Sequence, residues 1–157
     1  MYKNKSIYNS GFNIIEILII LAILAIFVSL SITVFLNLSN NQSLEKEVTT
    51  SLSFIEKARM KTINSSFQSQ YGVKLASTSV TIFPGTTYVQ GNASNTAYTL
   101  GGKAYISSIN LTNGGTSFYF QKLTGKPSAT GTITFRLTGT TTEKYIIINS
   151  AGLAEVQ

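Results

Sequence analysis

The chain has 157 residues, twelve Lys and Arg against six acidic residues and a net charge of +6, a length that suits one folded domain with at most a tail or an anchor. It contains no Cys, His, Trp or Asp, and its acids are the scattered Glu16, Glu45, Glu47, Glu56, Glu143 and Glu155. Those absences exclude disulfide frameworks, zinc sites, thiol and histidine catalysis, Ser-His-Asp triads and EF-hand loops, so the composition speaks against an enzyme and implies no cofactor.

The first ten residues are polar and carry Lys3 and Lys5. After Gly11 the texture changes: 20 of the 25 residues from Phe12 to Leu36 are apolar, so the 43% apolar content of the whole chain is concentrated at one end. From Ile17 to Leu36 twenty residues pass without a charge. At about 1.5 Å per residue they reach about 30 Å, one hydrocarbon thickness. A membrane-spanning helix over residues 12–36 is the direct expectation, with Ile17, Leu21, Leu24, Val28, Ile32 and Leu36 along it. A secretory signal peptide would have a shorter apolar core and a small-residue cleavage site, whereas Ser29, Ser31 and Thr33 are followed by further apolar residues. A buried helix of a soluble protein would need a larger apolar domain around it.

Glu16 is the exception in this block. A carboxylate at full membrane depth costs about 2.5–3.5 kcal/mol, and the span itself offers no cation. Either Glu16 sits at the interface and snorkels, or a positive charge reaches it from elsewhere.

The segment Gly11-Phe12-Asn13-Ile14-Ile15-Glu16, behind a short basic leader and ahead of an apolar helix, resembles the type IV prepilin signature of pilins and pseudopilins. The resemblance implies cleavage between Gly11 and Phe12 by a prepilin peptidase on the cytoplasmic side. It also implies N-methylation of Phe12 and pairing of Glu16 with the terminal amine of a neighbouring subunit in a fibre. Such a pair supplies the missing cation and makes the charge tolerable on assembly. The leader lysines agree with the positive-inside rule, which places the start in the cytoplasm and the C-terminal part beyond the inner membrane, in a single pass. Implied partners are the peptidase, other pilin or pseudopilin subunits and inner-membrane lipid. Removal of residues 1–11 takes away Lys3 and Lys5 and lowers the side-chain charge from +6 to +4. Two departures from the family stand out. Many members carry a proline in the second half of the apolar helix, where this chain has Ser29-Leu30-Ser31-Ile32-Thr33-Val34, so any local unwinding would rest on Ser and Thr side chains bonding back to the backbone. The C-terminal disulfide of many major pilins is impossible without Cys.

Residues 37–43 are polar and suit a bend or hinge. Ser43 ahead of Glu45 and Glu47 looks like a helix start. Leu44, Val48, Leu52, Ile55, Ile63, Phe67 and Tyr71 then recur at helical spacing, so residues 37–71 are expected to continue the helix with one amphipathic face, stopped by Gly72. The charged Lys46, Lys57, Arg59 and Lys61 mostly fall off that face.

Residues 72–157 read as a β-rich head. Short strands are expected at 73–76, 79–83, 86–90, 97–100, 104–111, 117–123, 131–137 and 144–149, with 151–156 a candidate last one. Pro84-Gly85, Gly91-Asn92, Gly101-Gly102, Gly114-Gly115, Gly125-Lys126-Pro127 and Gly139 supply the turns. The fold class is therefore α+β, a long N-terminal helix packed on an antiparallel sheet or sandwich. Residues 131–137, 145–149 and the closing Gly152-Leu153 are similar in pattern to the C-terminal half of the pseudopilin H and FimT-type minor pilin family, which favours a minor or accessory subunit. Lys103, Lys122, Lys126, Arg136 and Lys144 against Glu143 and Glu155 give the head a basic bias that could attract DNA, although it is more simply a solvated surface. Asn92-Ala93-Ser94 and Asn110-Leu111-Thr112 match a glycosylation tripeptide too short to carry weight. The expectation is a structural subunit of a type IV pilus or type II secretion pseudopilus. The alternatives are a single-pass anchored adhesion or binding module and a DNA-binding minor pilin.

Overall fold

A computed structural model of the chain describes residues 11, 13–64 and 69–157, with the backbone alone for residues 30–37. One helix, α1 (Ile14–Ile63), is followed by β1 (Tyr71–Ala76), β2 (Ser79–Pro84), β3 (Thr96–Thr99), β4 (Ala104–Leu111), β5 (Ser117–Tyr119), β6 (Gly131–Leu137), β7 (Glu143–Ile148) and β8 (Ala154–Val156). The chain is thus α+β, as the pattern of elements predicts. It separates into two compact units, Met1–Ser39 and Asn40–Gln157.

In the first unit, among the described residues, no helix is long and apolar enough to cross a membrane. Of the expected span 12–36, Phe12 and the side chains of residues 30–36, Ile32 and Leu36 included, lie outside the described residues. The remaining residues 14–29 are fewer than the about twenty that a bilayer requires.

In the second unit α1 presents a stripe to the interior. Leu44, Val48, Ile55 and Ala58 are buried, and Glu47, Ser51 and Thr62 fall on the same stripe, at steps of three and four residues. Residues 37–43 are helical and not a bend. They lack Gly and Pro, so their weak helix preferences cost little once both flanks are helical. Glu45 and Glu47 therefore lie well inside the helix and not in a first turn. The helix also ends earlier than its apolar spacing suggests, at Ile63. Asn64 and the serines after it are poor helix formers. The Thr62 hydroxyl donates to the Ala58 carbonyl at 2.9 Å and accepts the Tyr71 N–H at 3.0 Å, which ties the helix end to the start of β1. Tyr71 is accordingly a strand residue, Phe67 lies outside the described residues, and Gly72 is not a helix stop. Gly72 instead makes room for an aromatic ring: a Cβ there would lie 2.3 Å from Cζ of Phe83.

All strand pairs are antiparallel, in two four-stranded sheets of order β3-β2-β1-β5 and β4-β6-β7-β8. A single core joins the helix stripe to the inward side chains of both sheets, among them Val73, Leu75 and Ile82 from the first and Ile133, Phe135 and Ile146 from the second. The β1–β2 turn and the β3–β4 connection link the sheets, since the Ile106 N–H donates to Ser77 O at 2.7 Å and the Leu100 N–H to Thr78 O at 2.9 Å. In β4 the register on β6 slips between Ile106 and Ser108, a β-bulge at Ser107. Ile106 opposite Phe135 and Ile109 opposite Ile133 thereby both face inward although they are three residues apart.

Residues 86–90 form bends and a turn instead of the expected strand. Gly85, at φ +92°, turns the chain and donates its N–H to Gln70 O at 2.7 Å. Tyr88 then packs edge-on against Phe83, with ring centroids 5.6 Å apart. The segment covers the sheet rather than extending it. Likewise β5 stops at Tyr119 and residues 122–124 turn back, while residues 151–152 are a turn and only Ala154–Val156 pair with β7.

Candidate functional site

The helix start holds the residues that the sequence singles out. Asn13 caps α1: its carbonyl accepts the N–H of Glu16 at 2.9 Å and of Ile17 at 3.3 Å, and its Oδ1 accepts the N–H of Ile15 at 3.4 Å. Glu16 falls in the first turn, where the unpaired N–H groups and the helix dipole favour a negative charge. Among the described residues no cation pairs with it.

Around Glu16 the helix is apolar on every side. Ile17, Leu21, Leu24 and Val28 are each about half exposed, and Ile14, Ile15, Leu18, Ile26 and Phe27 are exposed as well. Successive residues turn by about 100°, so this run leaves no polar face. Ser29, at its end, donates its hydroxyl to the Ile26 carbonyl at 2.8 Å and so hides its polarity in the helix itself. Soluble single chains rarely leave so large a contiguous apolar surface uncovered; it calls for lipid or other chains.

Gly11 is exposed, and among the described residues a Cβ there would meet nothing within 4 Å. Its backbone is not in the left-handed region. Nothing local to the fold requires glycine at this position, in contrast to Gly152, where φ is +83° and a Cβ would lie 2.1 Å from the Gly125 carbonyl oxygen. Phe12, the other expected processing residue, lies outside the described residues.

A second polar centre escaped the sequence reading. Glu47 is 7% exposed on the inward stripe of α1. Its carboxylate accepts the Tyr98 hydroxyl at 2.5 Å and the Gly101 N–H at 2.9 Å, so the charge is held by two donors from β3 and the loop after it. Burial first, and then the hydrogen bond to Glu47, hold the Tyr98 phenol above its ordinary value. The signal was available: Glu47 stands three residues after Leu44 and four before Ser51, inside the stripe. Taking carboxylates as solvated hid it.

The basic bias of the head is partly neutralised. Arg136 pairs with Glu143, which also accepts the Tyr145 hydroxyl, and Lys144 pairs with Glu45 of α1. Lys103, Lys122 and Lys126 are exposed. Among the described residues no three acidic, His or Cys side chains come close enough to hold a metal ion. Comparison of the chain with protein-family models, with curated proteins and with solved structures finds no match.

Proposed function

We propose that the protein is a structural subunit, a minor pilin or pseudopilin, of a type IV pilus or a type II secretion pseudopilus. The observation that carries this reading is the helix start: an apolar cylinder exposed all round, with one carboxylate in its first turn and a glycine ahead of it that the fold does not need. In this reading a prepilin peptidase cuts between Gly11 and Phe12 and methylates the new terminus. Residues 12–36 hold the subunit in the inner membrane with the head outside the cytoplasm. Glu16 then pairs with the amine of Phe12 on a neighbour, the desolvated charge loses its cost, and the apolar helices bundle into a fibre core with the head on its surface. The glycine fits because a peptidase must draw the chain at 11–12 into its own active site, where a side chain would obstruct.

Intact mass of the protein, purified from a host that carries a prepilin peptidase, tests the reading. A chain that starts at Phe12 and bears one extra methyl group is expected, and Gly11→Val should leave the mass unshifted. A wild-type chain that retains Met1 to Gly11 in that host overturns the reading in favour of a single-pass anchored module.

A further inference from the structure

The β7–β8 pair leaves one edge open in a place where the structure has built walls around it. Tyr145 and Gln157 exchange both backbone hydrogen bonds at 2.9 Å, and the Asn149 N–H donates to Leu153 O at 3.0 Å. Antiparallel alternation then turns the N–H and C=O groups of Ala154 and Val156 away from β7, and β8 is the last strand of its sheet. Edge strands are commonly blunted by proline, by inward charge or by a covering loop. None of these stands on β8 among the described residues. Ala154 is only 8% exposed, so its outward main-chain groups lie in a recess and not on a flat rim.

That recess is a cleft of about 250 Å³ between α1 and β8, lined by Glu56, Arg59, Met60, Gly152, Leu153 and Ala154. Its walls are apolar, with Met60 and Leu153 each 49% exposed. Arg59 fixes its shape: Nε donates to Gly125 O at 3.2 Å and Nη2 to Ala151 O at 3.5 Å, which binds two turns to the helix. The first of these turns carries the exposed Lys122 and Lys126. Between them Leu123 is 91% exposed at φ +62°, a strained apolar residue that no internal contact explains. An unpaired strand edge beside a helix-walled apolar cleft is the arrangement that takes up an extended peptide, main chain on the edge and alternate side chains in the cleft.

We propose that β8 accepts an extended segment of a partner protein as a further strand of its sheet. An apolar side chain of that segment lies between Met60 and Leu153, and its flanking residues are acidic. The charge follows from Arg59, Lys122 and Lys126 against Glu56 alone. The inference concerns the head and does not depend on processing or assembly at the helix start.

The test uses the full chain, 15N-labelled in detergent micelles, titrated with the capped peptide Glu-Val-Leu-Val-Glu. Amide shifts at Met60, Leu153, Ala154 and Val156 are expected, together with slowed hydrogen exchange at Val156. Val156→Pro removes an outward N–H without touching the ladder to β7 and should weaken binding at least about tenfold, the equivalent of one main-chain hydrogen bond. The same peptide N-methylated at alternate residues should lose binding to the wild-type chain, a comparison that needs no variant. No shift at millimolar peptide overturns the proposal. So does undiminished binding of the N-methylated peptide, or a response of the same amides to anionic vesicles or duplex DNA in place of the peptide.

Discussion

Two stretches of α1 share a backbone conformation and differ in everything that surrounds it. In residues 14–28 the apolar side chains point in all directions and stay exposed, whereas in residues 44–62 they form one stripe that two sheets cover. The second stretch is satisfied within its own chain. The first is not, and its only charge lies in its first turn. Helix formation is therefore no guide to what the two stretches do; the width of the apolar surface is, because a stripe can be buried by one neighbouring layer and a cylinder only by a surrounding medium or a bundle.

Substitutions that act on one stretch and spare the other sharpen this contrast. The largest effect is expected for Glu16→Ala, which should still be processed but should be missing from the fibre fraction on immunoblotting, while the thermal midpoint of the head stays unchanged. Normal incorporation of that variant would sink the assembly role of the carboxylate. Phe135→Ala is the converse. The ring is fully buried, and its loss should cost the head about 3–5 kcal/mol in denaturant unfolding followed by circular dichroism, with N-terminal processing intact. Glu47→Ala leaves the Tyr98 hydroxyl and the Gly101 N–H without their acceptor and should cost about 1–3 kcal/mol.

The Tyr98 pair also predicts a pH effect. Because the folded phenol sits above its ordinary value, the fold favours the neutral form. That contribution is complete below the unfolded value of about 10 and is lost as pH rises through it towards the folded one. The denaturant midpoint of the wild type should fall more steeply above that pH than that of Tyr98→Phe. The smallest effect is expected for Ser51→Ala. The Ser51 hydroxyl is buried with no hydrogen-bond partner, so its removal should be neutral or slightly stabilising, and a clear loss of stability would show a bond that the structure does not.

Much of the α+β arrangement was legible in the residues. β4 and β6 have the expected bounds, because Gly101-Gly102 and Gly114-Gly115 punctuate one and alternation from Thr132 to Leu137 marks the other. The helix end was not legible, since Ile63, Phe67 and Tyr71 keep the helical spacing while the chain leaves the helix at Ile63. Spacing records which side chains can be buried, and a strand that starts under the same core satisfies it as well as another turn of helix does. Thr86 to Gln90 has strand composition but lies behind Gly85, whose left-handed turn sends it across the sheet. The candidate site divides in the same way. Gly11, Phe12 and Glu16 are a matter of linear order and can be read from residue types. The Glu47 centre and the β8 cleft depend on residues fifty or more positions apart, such as Glu47 with Tyr98 and Arg59 with Gly125, which no local pattern joins.

The bulge in β4 shows that strand alternation has a phase that one residue can reset. Ser107 contributes a hydroxyl bond to Thr134 O at 3.3 Å and little else, and substituting it changes only that bond. Its deletion is a different kind of event. Residues 108–111 would shift by one position on β6, Ile109 and Leu111 would be carried to the solvent face, and Ser108 and Asn110 would enter the core. In β4 the count of residues carries more structural information than the identity of the one that makes the count odd.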